Sequence, residues 1–300
     1  MTSALAAVLV VVTALAGWHP AWAGTTQYTY DELGRLRTVT KTTGLLVTYN
    51  YDAAGNRSSV TIADVQPPSA PGTLSGYAAS GTQVNLSWGA ASDNVAVTSY
   101  RVYRNGGLVG TPAGTSYADT GLTSATSYAY RVAALDAAGN EGASSNTIAV
   151  GTPDTVAPTV PTGLSGAAVS GSQINLSWSA STDNVVVVGY RVYRNGAQVG
   201  TPSGTSFSDT GLAQYTSYTY TVAAYDAAGN TSGTSTAAAI TTLDTSAPSV
   251  PTSVSAAGAS GSQINVSWAA SGDNVGVAGY RLYRNGAQIA TPSTTACTWK

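Results

Sequence analysis

The chain repeats itself at a step of 90 residues, and this limits its fold more than any other feature. QVNLSW ends at Trp88, QINLSW at Trp178 and QINVSW at Trp268. SYRVYRNG begins at Ser99, and GYRVYRNG and GYRLYRNG begin at Gly189 and Gly279. A repeat this long means units that each close a core of their own. Between copies stand the joints DVQPPSAP (Asp64–Pro71), DTVAPTVP (Asp154–Pro161) and DTSAPSVP (Asp244–Pro251). Such Pro-containing joints are semi-rigid spacers, and eight residues reach roughly 25 Å.

Within a copy the pattern predicts strands. Val84, Leu86 and Trp88 alternate with Gln83, Asn85 and Ser87, so one face is buried and the other wet. Tyr100 and Val102 oppose Arg101 and Tyr103 in the same way. Tyr128, Tyr130, Val132 and Ala134 oppose Ala129, Arg131 and Ala133. Asn105-Gly106, Asn195-Gly196 and Asn285-Gly286 are two-residue hairpin loops, whose positive φ angles Asn and Gly tolerate. About seven short strands per copy predict an all-β, antiparallel sandwich.

These residues carry a specific resemblance. The copies resemble fibronectin type III domains. Pro71 and Leu74 lead to Trp88, and Leu122 stands six residues before Tyr128 in the L-x5-Y pattern of the family's tyrosine corner. Pro161, Leu164, Trp178, Leu212 and Tyr218 match in the second copy. The resemblance implies a core built on Trp88, Trp178, Trp268, Leu122 and Leu212, with the Tyr128 and Tyr218 hydroxyls bonded to nearby backbone. It covers residues 68–153 and 157–243, with a partial copy at 247–300 and linkers at 63–67, 154–156 and 244–246. The wording SxDNVxVxxYRVYRNG is similar to modules that bacteria string beside polysaccharide-degrading domains.

The third copy follows the second to Ser293 and then ends TTACTWK. Counterparts of Asp209–Leu212, Tyr218 and Tyr225–Asn230 are missing, so an exposed core face and unpaired edges are expected. The chain reads as the N-terminal piece of a longer protein, or as a truncated or frameshifted gene. Residues 24–62 obey another rule. YTYDELGR at Tyr28–Arg35 recurs as YNYDAAGN at Tyr49–Asn56, a step of 21 residues. This segment resembles the YD or RHS repeat, which implies short hairpins that pair with their neighbours. The turn word YDAAGN also occurs at Tyr225–Asn230, with LDAAGN at Leu135–Asn140. Asp at its start and Gly three residues on suit a type I turn in both settings.

Residues 1–23 read as a cleaved secretory leader: a 14-residue apolar run, Ala4–Gly17, then Pro20 and an A-x-A site at Ala21–Ala23. No Lys or Arg precedes the run. An extracellular location follows, with no membrane attachment after cleavage.

Chemistry is scarce. The single histidine, His19, leaves with the leader, which removes triad and histidine acid–base catalysis. One cysteine, Cys297, allows no intramolecular disulfide. Only 9% of residues are charged, with net charge -2 and no basic run, which argues against a nucleic-acid partner. Most carboxylates recur in the 90-residue register: Asp64, Asp154 and Asp244; Asp93, Asp183 and Asp273; Asp119 and Asp209; Asp136 and Asp226. Only Asp31, Glu32, Asp52 and Glu141 fall outside it. Repeated Asp reads as turn scaffold, because Asp accepts from backbone N–H groups two residues on. Neither Asp93-Asn94 nor Asp136…Asn140 has the dense acidic spacing of a calcium loop, so no metal and no cofactor are expected. Asn85, Asn175 and Asn265 sit in N-x-S by virtue of the strand motif, not as glycosylation sites.

The contact surface expected is the wet face carrying Tyr103, Tyr193 and Tyr283 beside Arg101, Arg191 and Arg281. A polysaccharide or a cell-surface protein is the partner such a face would meet. The reading is a secreted, monomeric, non-catalytic spacer or adhesion protein. Two alternatives stand beside it: the linker region of a glycoside hydrolase with its catalytic domain beyond Lys300, and a fragment of an RHS-type shell or toxin.

Overall fold

The computed structural model describes residues 9–12 and 26–300. Every regular element among them is a β-strand. The expected leader lies outside the described residues, apart from β1 (Leu9–Val12), which pairs antiparallel with β2 (Thr26–Tyr30). The chain divides into two compact units, residues 1–155 and 156–300.

The first unit opens with a meander. β2 pairs with β3 (Leu36–Thr40), β3 with β4 (Leu45–Tyr51) and β4 with β5 (Arg57–Asp64). The two Y-x-Y-D words close the β2–β3 and β4–β5 turns, so each 21-residue step is one hairpin. This sheet has little core: Val39 is buried, while Ile62 is 67% exposed. β5 runs through Asp64, so the strand extends into the segment expected to be linker.

The first sandwich follows in the same unit. Its smaller sheet has the order β10 (Ser116–Thr120), β7 (Gln83–Ser87), β6 (Ser75–Ser80). The larger sheet has the order β12 (Glu141–Ser144), β11 (Ser127–Asp136), β8 (Val97–Arg104), β9 (Gly107–Gly110), and β13 (Ile148–Gly151) also pairs with β11. That makes eight strands rather than seven, because β12 and β13 share one edge of β11. Val84, Leu86, Trp88, Tyr100, Val102 and Tyr130 meet between the sheets. Trp88 and Tyr100 pack edge to face with centroids 5.5 Å apart, the offset that the ring quadrupoles favour. Ala133 breaks the expected alternation. It is fully buried on the outer side of β11, which has neighbours along both edges. The β8–β9 loop holds Asn105 at φ 49° and Gly106 at φ 86°, as a type I′ turn requires.

The second unit holds two copies. Its complete sandwich pairs β14 (Thr162–Ala168), β15 (Gln173–Ser179) and β18 (Ser206–Thr210) in one sheet. The other sheet has the order β17 (Ala197–Gly200), β16 (Val187–Arg194), β19 (Ser217–Asp226), β20 (Ala238–Thr241). Ile174, Leu176, Trp178, Tyr190 and Tyr220 form its core.

The third copy keeps β21 (Thr252–Ser260), β22 (Gln263–Ala269) and the hairpin β23 (Leu282–Arg284)–β24 (Ala287–Ala290). Trp268 stays buried, but Val254 is 66% exposed. An open groove of about 470 Å³, lined by Pro251, Val254, Trp268, Tyr280 and Leu282, lies where a full sandwich has its core. The tail that breaks the repeat still takes a place in the fold. β25 (Ala296–Trp299) pairs with β22, Cys297 opposite Val266 and Trp299 opposite Ile264. In the first sandwich Tyr117 and Asp119 of β10 hold the same register on Leu86 and Val84.

Candidate functional site

The expected contact face lies on the outer side of β8, where strand alternation turns Arg101 and Tyr103 away from the core. Cross-strand pairing sets Arg131 opposite Tyr103 and Ala133 opposite Arg101. Glu141 at the start of β12 then reaches both residues. Arg101 Nη1 donates to Glu141 Oε2 at 2.5 Å, and the Tyr103 hydroxyl donates to Oε1 at 2.6 Å. The Arg131 guanidinium lies 3.9 Å from the Tyr103 ring centroid. The Tyr103 hydroxyl and then Arg101 hold the Glu141 carboxyl below its ordinary range, against the opposing effect of burial. The same bond, helped by burial, pushes the Tyr103 phenol up. Arg131 and Glu141 thus occupy the ring and hydroxyl that a ligand would use. Glu141 is the residue that sequence reasoning missed here. Its one signal was that it stands outside the 90-residue register.

The copies differ on this face. The second has Thr231 where the first has Glu141, and Arg191 donates to Thr231 Oγ1 at 2.7 Å. Arg191 also stacks 5.0 Å from the centroid of Tyr225. Tyr193 is half-buried on β16 opposite Thr221. In the third copy Arg281 and Tyr283 are exposed, Tyr283 at 54%. The six residues therefore do not form one repeated surface.

The tyrosines on the core side are engaged in structure. Tyr128 and Tyr218 each accept at the hydroxyl from a backbone N–H five residues back, Thr123 and Ala213, both at 2.9 Å. Leu122 and Leu212 are buried beside these corners. Asp119 and Asp209 are not turn residues. Each lies in a strand, 3% and 5% exposed. Arg104 Nη1 meets Asp119 at 3.0 and 2.9 Å, and Arg194 Nη1 meets Asp209 at 2.9 Å on both oxygens. In the third copy Trp299 holds this register position, and Arg284 stacks on its ring, 5.1 Å from the centroid.

The turn word has one geometry in both settings. Asp52, Asp136 and Asp226 each accept at Oδ1 from the N–H of the Asn four residues on, at 2.8 Å. Their Oδ2 atoms accept from the same Asn side chain at 3.2, 2.7 and 2.7 Å. Gly55, Gly139 and Gly229 complete it at φ 90°, 92° and 94°. This is a type I turn followed by a left-handed residue, the three-residue hairpin connection. At Asp136, burial opposes ionisation, but the Asn140 side-chain and backbone donors outweigh it and hold the carboxyl below its ordinary range.

Folding gathers three acids that the sequence keeps apart. One carboxylate oxygen each of Asp64, Asp93 and Asp136 lies within 4.8 Å of the other two. Asp64 ends β5, Asp93 lies between β7 and β8, and Asp136 ends β11. Asn140 Nδ2 also donates to the Asp64 carbonyl at 3.1 Å, and Asn94 Nδ2 donates to Asp64 Oδ1 at 3.1 Å. The joint is therefore pinned to both loops of the first sandwich. Each loop taken alone in the sequence lacks the third carboxylate, which the joint supplies only in the fold.

The strand order, the Trp–Tyr core and the tyrosine corner define a tandem β-sandwich module protein. The Fibronectin type III domain model matches residues 69–150 and 159–241, more than half of the chain, and the chain belongs to this family. The RHS Repeat model matches residues 30–64. The chain is similar to Exoglucanase B of Cellulomonas fimi, 40% identical over 252 residues, 79% of this chain and 23% of that protein. It is similar to Chitinase A1 of Niallia circulans, 46% identical over 193 residues, 62% of this chain and 28% of that protein. Exoglucanase A of Cellulomonas fimi is 44% identical over 269 residues, 84% of this chain and 31% of that protein. The chain thus spans between about a quarter and a third of the length of these relatives, and the matches cover the module-bearing region.

Proposed function

We propose that this chain is the spacer region of an extracellular polysaccharide-degrading enzyme, its sandwiches holding a catalytic domain at a set distance from neighbouring parts. One observation carries this reading: the chain matches exoglucanases and a chitinase along most of its own length but along less than a third of theirs. The geometry supports a passive role. The carboxylates of Asp119 and Glu141 are committed to ion pairs within their own sandwich. The aromatic rings best placed to stack on a sugar, Trp88 and Trp178, are in the cores. Supports for the extracellular location are the leader-like residues 1–23 and relatives named for acting on glucan and chitin.

The test has two arms. Reading the transcript past the codon for Lys300 should reveal an in-frame glycosidase domain. The purified chain should release no reducing ends from cellulose or chitin. Hydrolysis by the chain itself, or a reading frame that continues into RHS repeats alone, would overturn the proposal. The second outcome would favour the RHS-type shell, a reading supported by the match over residues 30–64.

A further inference from the structure

Three loops of the first unit converge on Asp64, Asp93 and Asp136, and turn chemistry accounts for only part of what their carboxylates do. Asp64 Oδ1 accepts from Gln66 N and from Asn94 Nδ2, both at 3.1 Å. Asp93 Oδ2 accepts from Val95 N at 2.9 Å and Ala96 N at 3.2 Å. Both oxygens of Asp136, a residue only 3% exposed, are taken by Asn140. Asp64 Oδ2 and Asp93 Oδ1 remain. Both atoms are shut off from solvent and accept no hydrogen bond from the protein. None of the ion pairs among the described residues reaches these three acids. Two buried anionic oxygens without donors, beside a third carboxylate, carry both a desolvation cost and mutual repulsion. An asparagine would serve the turns at 64 and 93 without that cost, so the turns do not explain why these two residues are acids, whereas Asp136 uses both oxygens on Asn140.

We infer that Asp64, Asp93 and Asp136 form a calcium site that locks the N-terminal joint onto the first sandwich. The donor set is all oxygen, which selects a hard cation over zinc or copper. It is assembled from three separate loops, which suits the larger, geometrically tolerant calcium ion. Magnesium demands a near-ideal octahedron and keeps several waters. The ion cancels the repulsion among the carboxylates, and each loses its electrostatic reason to part from the others. Because Asp64 ends the RHS-like sheet and the other two belong to the sandwich, binding ties these two parts together. The site goes beyond the spacer reading and makes the spacing calcium-dependent. The same register positions recur in sequence as Asp154, Asp183 and Asp226.

The test is calorimetric titration of the chelator-stripped full chain with calcium chloride, beside the double variant Asp93→Asn/Asp136→Asn. Wild type should bind one more calcium per chain than the variant. Proteolysis at residues 65–67 should slow in calcium for wild type alone. Equal stoichiometry in the two proteins would overturn the site, as would magnesium chloride matching calcium at equal concentration. The variant keeps an Oδ1 acceptor for its backbone turn N–H groups, while Asp136→Asn gives up the acceptor of Asn140 Nδ2. If it nonetheless fails to fold, Asp64→Asn takes its place, with roughly tenfold or greater weakening expected at that site. Unchanged affinity in Asp64→Asn would also overturn the proposal.

Discussion

The Tyr130 hydroxyl donates to Asp119 Oδ2 at 2.8 Å inside the first sandwich, on the carboxylate that Arg104 also grips. The second sandwich repeats the arrangement with Tyr220, Asp209 and Arg194, at 2.7 Å for the hydroxyl. Burial, and then the bond to the aspartate, pushes both phenols well above their ordinary value. The cluster ties β10 to β8 and β11, one sheet to the other. Asp119→Ala leaves a cation and a buried hydroxyl without their partner. It should cost about 2–3 kcal/mol, below the full value for a buried pair because Arg104 is partly exposed. Tyr130→Phe leaves the ion pair intact and should cost about 1 kcal/mol. Urea unfolding of both variants and their double mutant checks this. Equal losses for the two single variants would show that the ion pair adds nothing.

Glu141 makes the first sandwich sensitive to acid. Its folded carboxyl is held below the unfolded value of 4.5. The stabilisation is therefore complete above that value and is lost as pH falls through the lower folded value. Glu141→Gln should flatten the loss of stability of the first sandwich as pH falls below about 4.5. Hydrogen exchange along β8 and β12 measures this. The second sandwich, with Thr231 at that position, is the internal control.

Gly139 sits at φ 92° in the turn between β11 and β12, where a Cβ has open space around it but the backbone angle is strained. Gly139→Ala should cost roughly 1–2 kcal/mol from the dihedral alone. A fall in melting temperature with an unchanged dichroism spectrum is the expected result. No fall would mean that the turn relaxes to another type.

The third copy should be the first part cut by protease. Its edge strand β23 pairs on one side only, with β24, and its apolar face opens to solvent. Limited proteolysis should remove residues 247–300 and leave 68–243 intact. Equal resistance throughout would show that the open face finds cover.

Much of this architecture was legible because it is written locally. Alternation at Gln83–Trp88 and the Asn-Gly loops set strands and hairpins wherever they occur. The 90-residue step multiplied the signal. The role of Asp119 was not legible, because an aspartate inside a strand reads as a turn residue until the opposite sheet supplies Arg104 and Tyr130. The tail residues 296–299 were unreadable for a related reason. They match no copy, yet they pair with the edge of β22 in the register that β10 holds on β7.

The sequence by itself determined the all-β class and the family, since these rest on period, turn chemistry and core pattern. Only the tertiary structure decided which polar groups meet. Glu141 finds Arg101 and Tyr103 across separations of 40 and 38 residues, and Asp64, Asp93 and Asp136 converge from three loops. Such meetings depend on how closed sheets bring loop ends together, and no local periodicity encodes that distance.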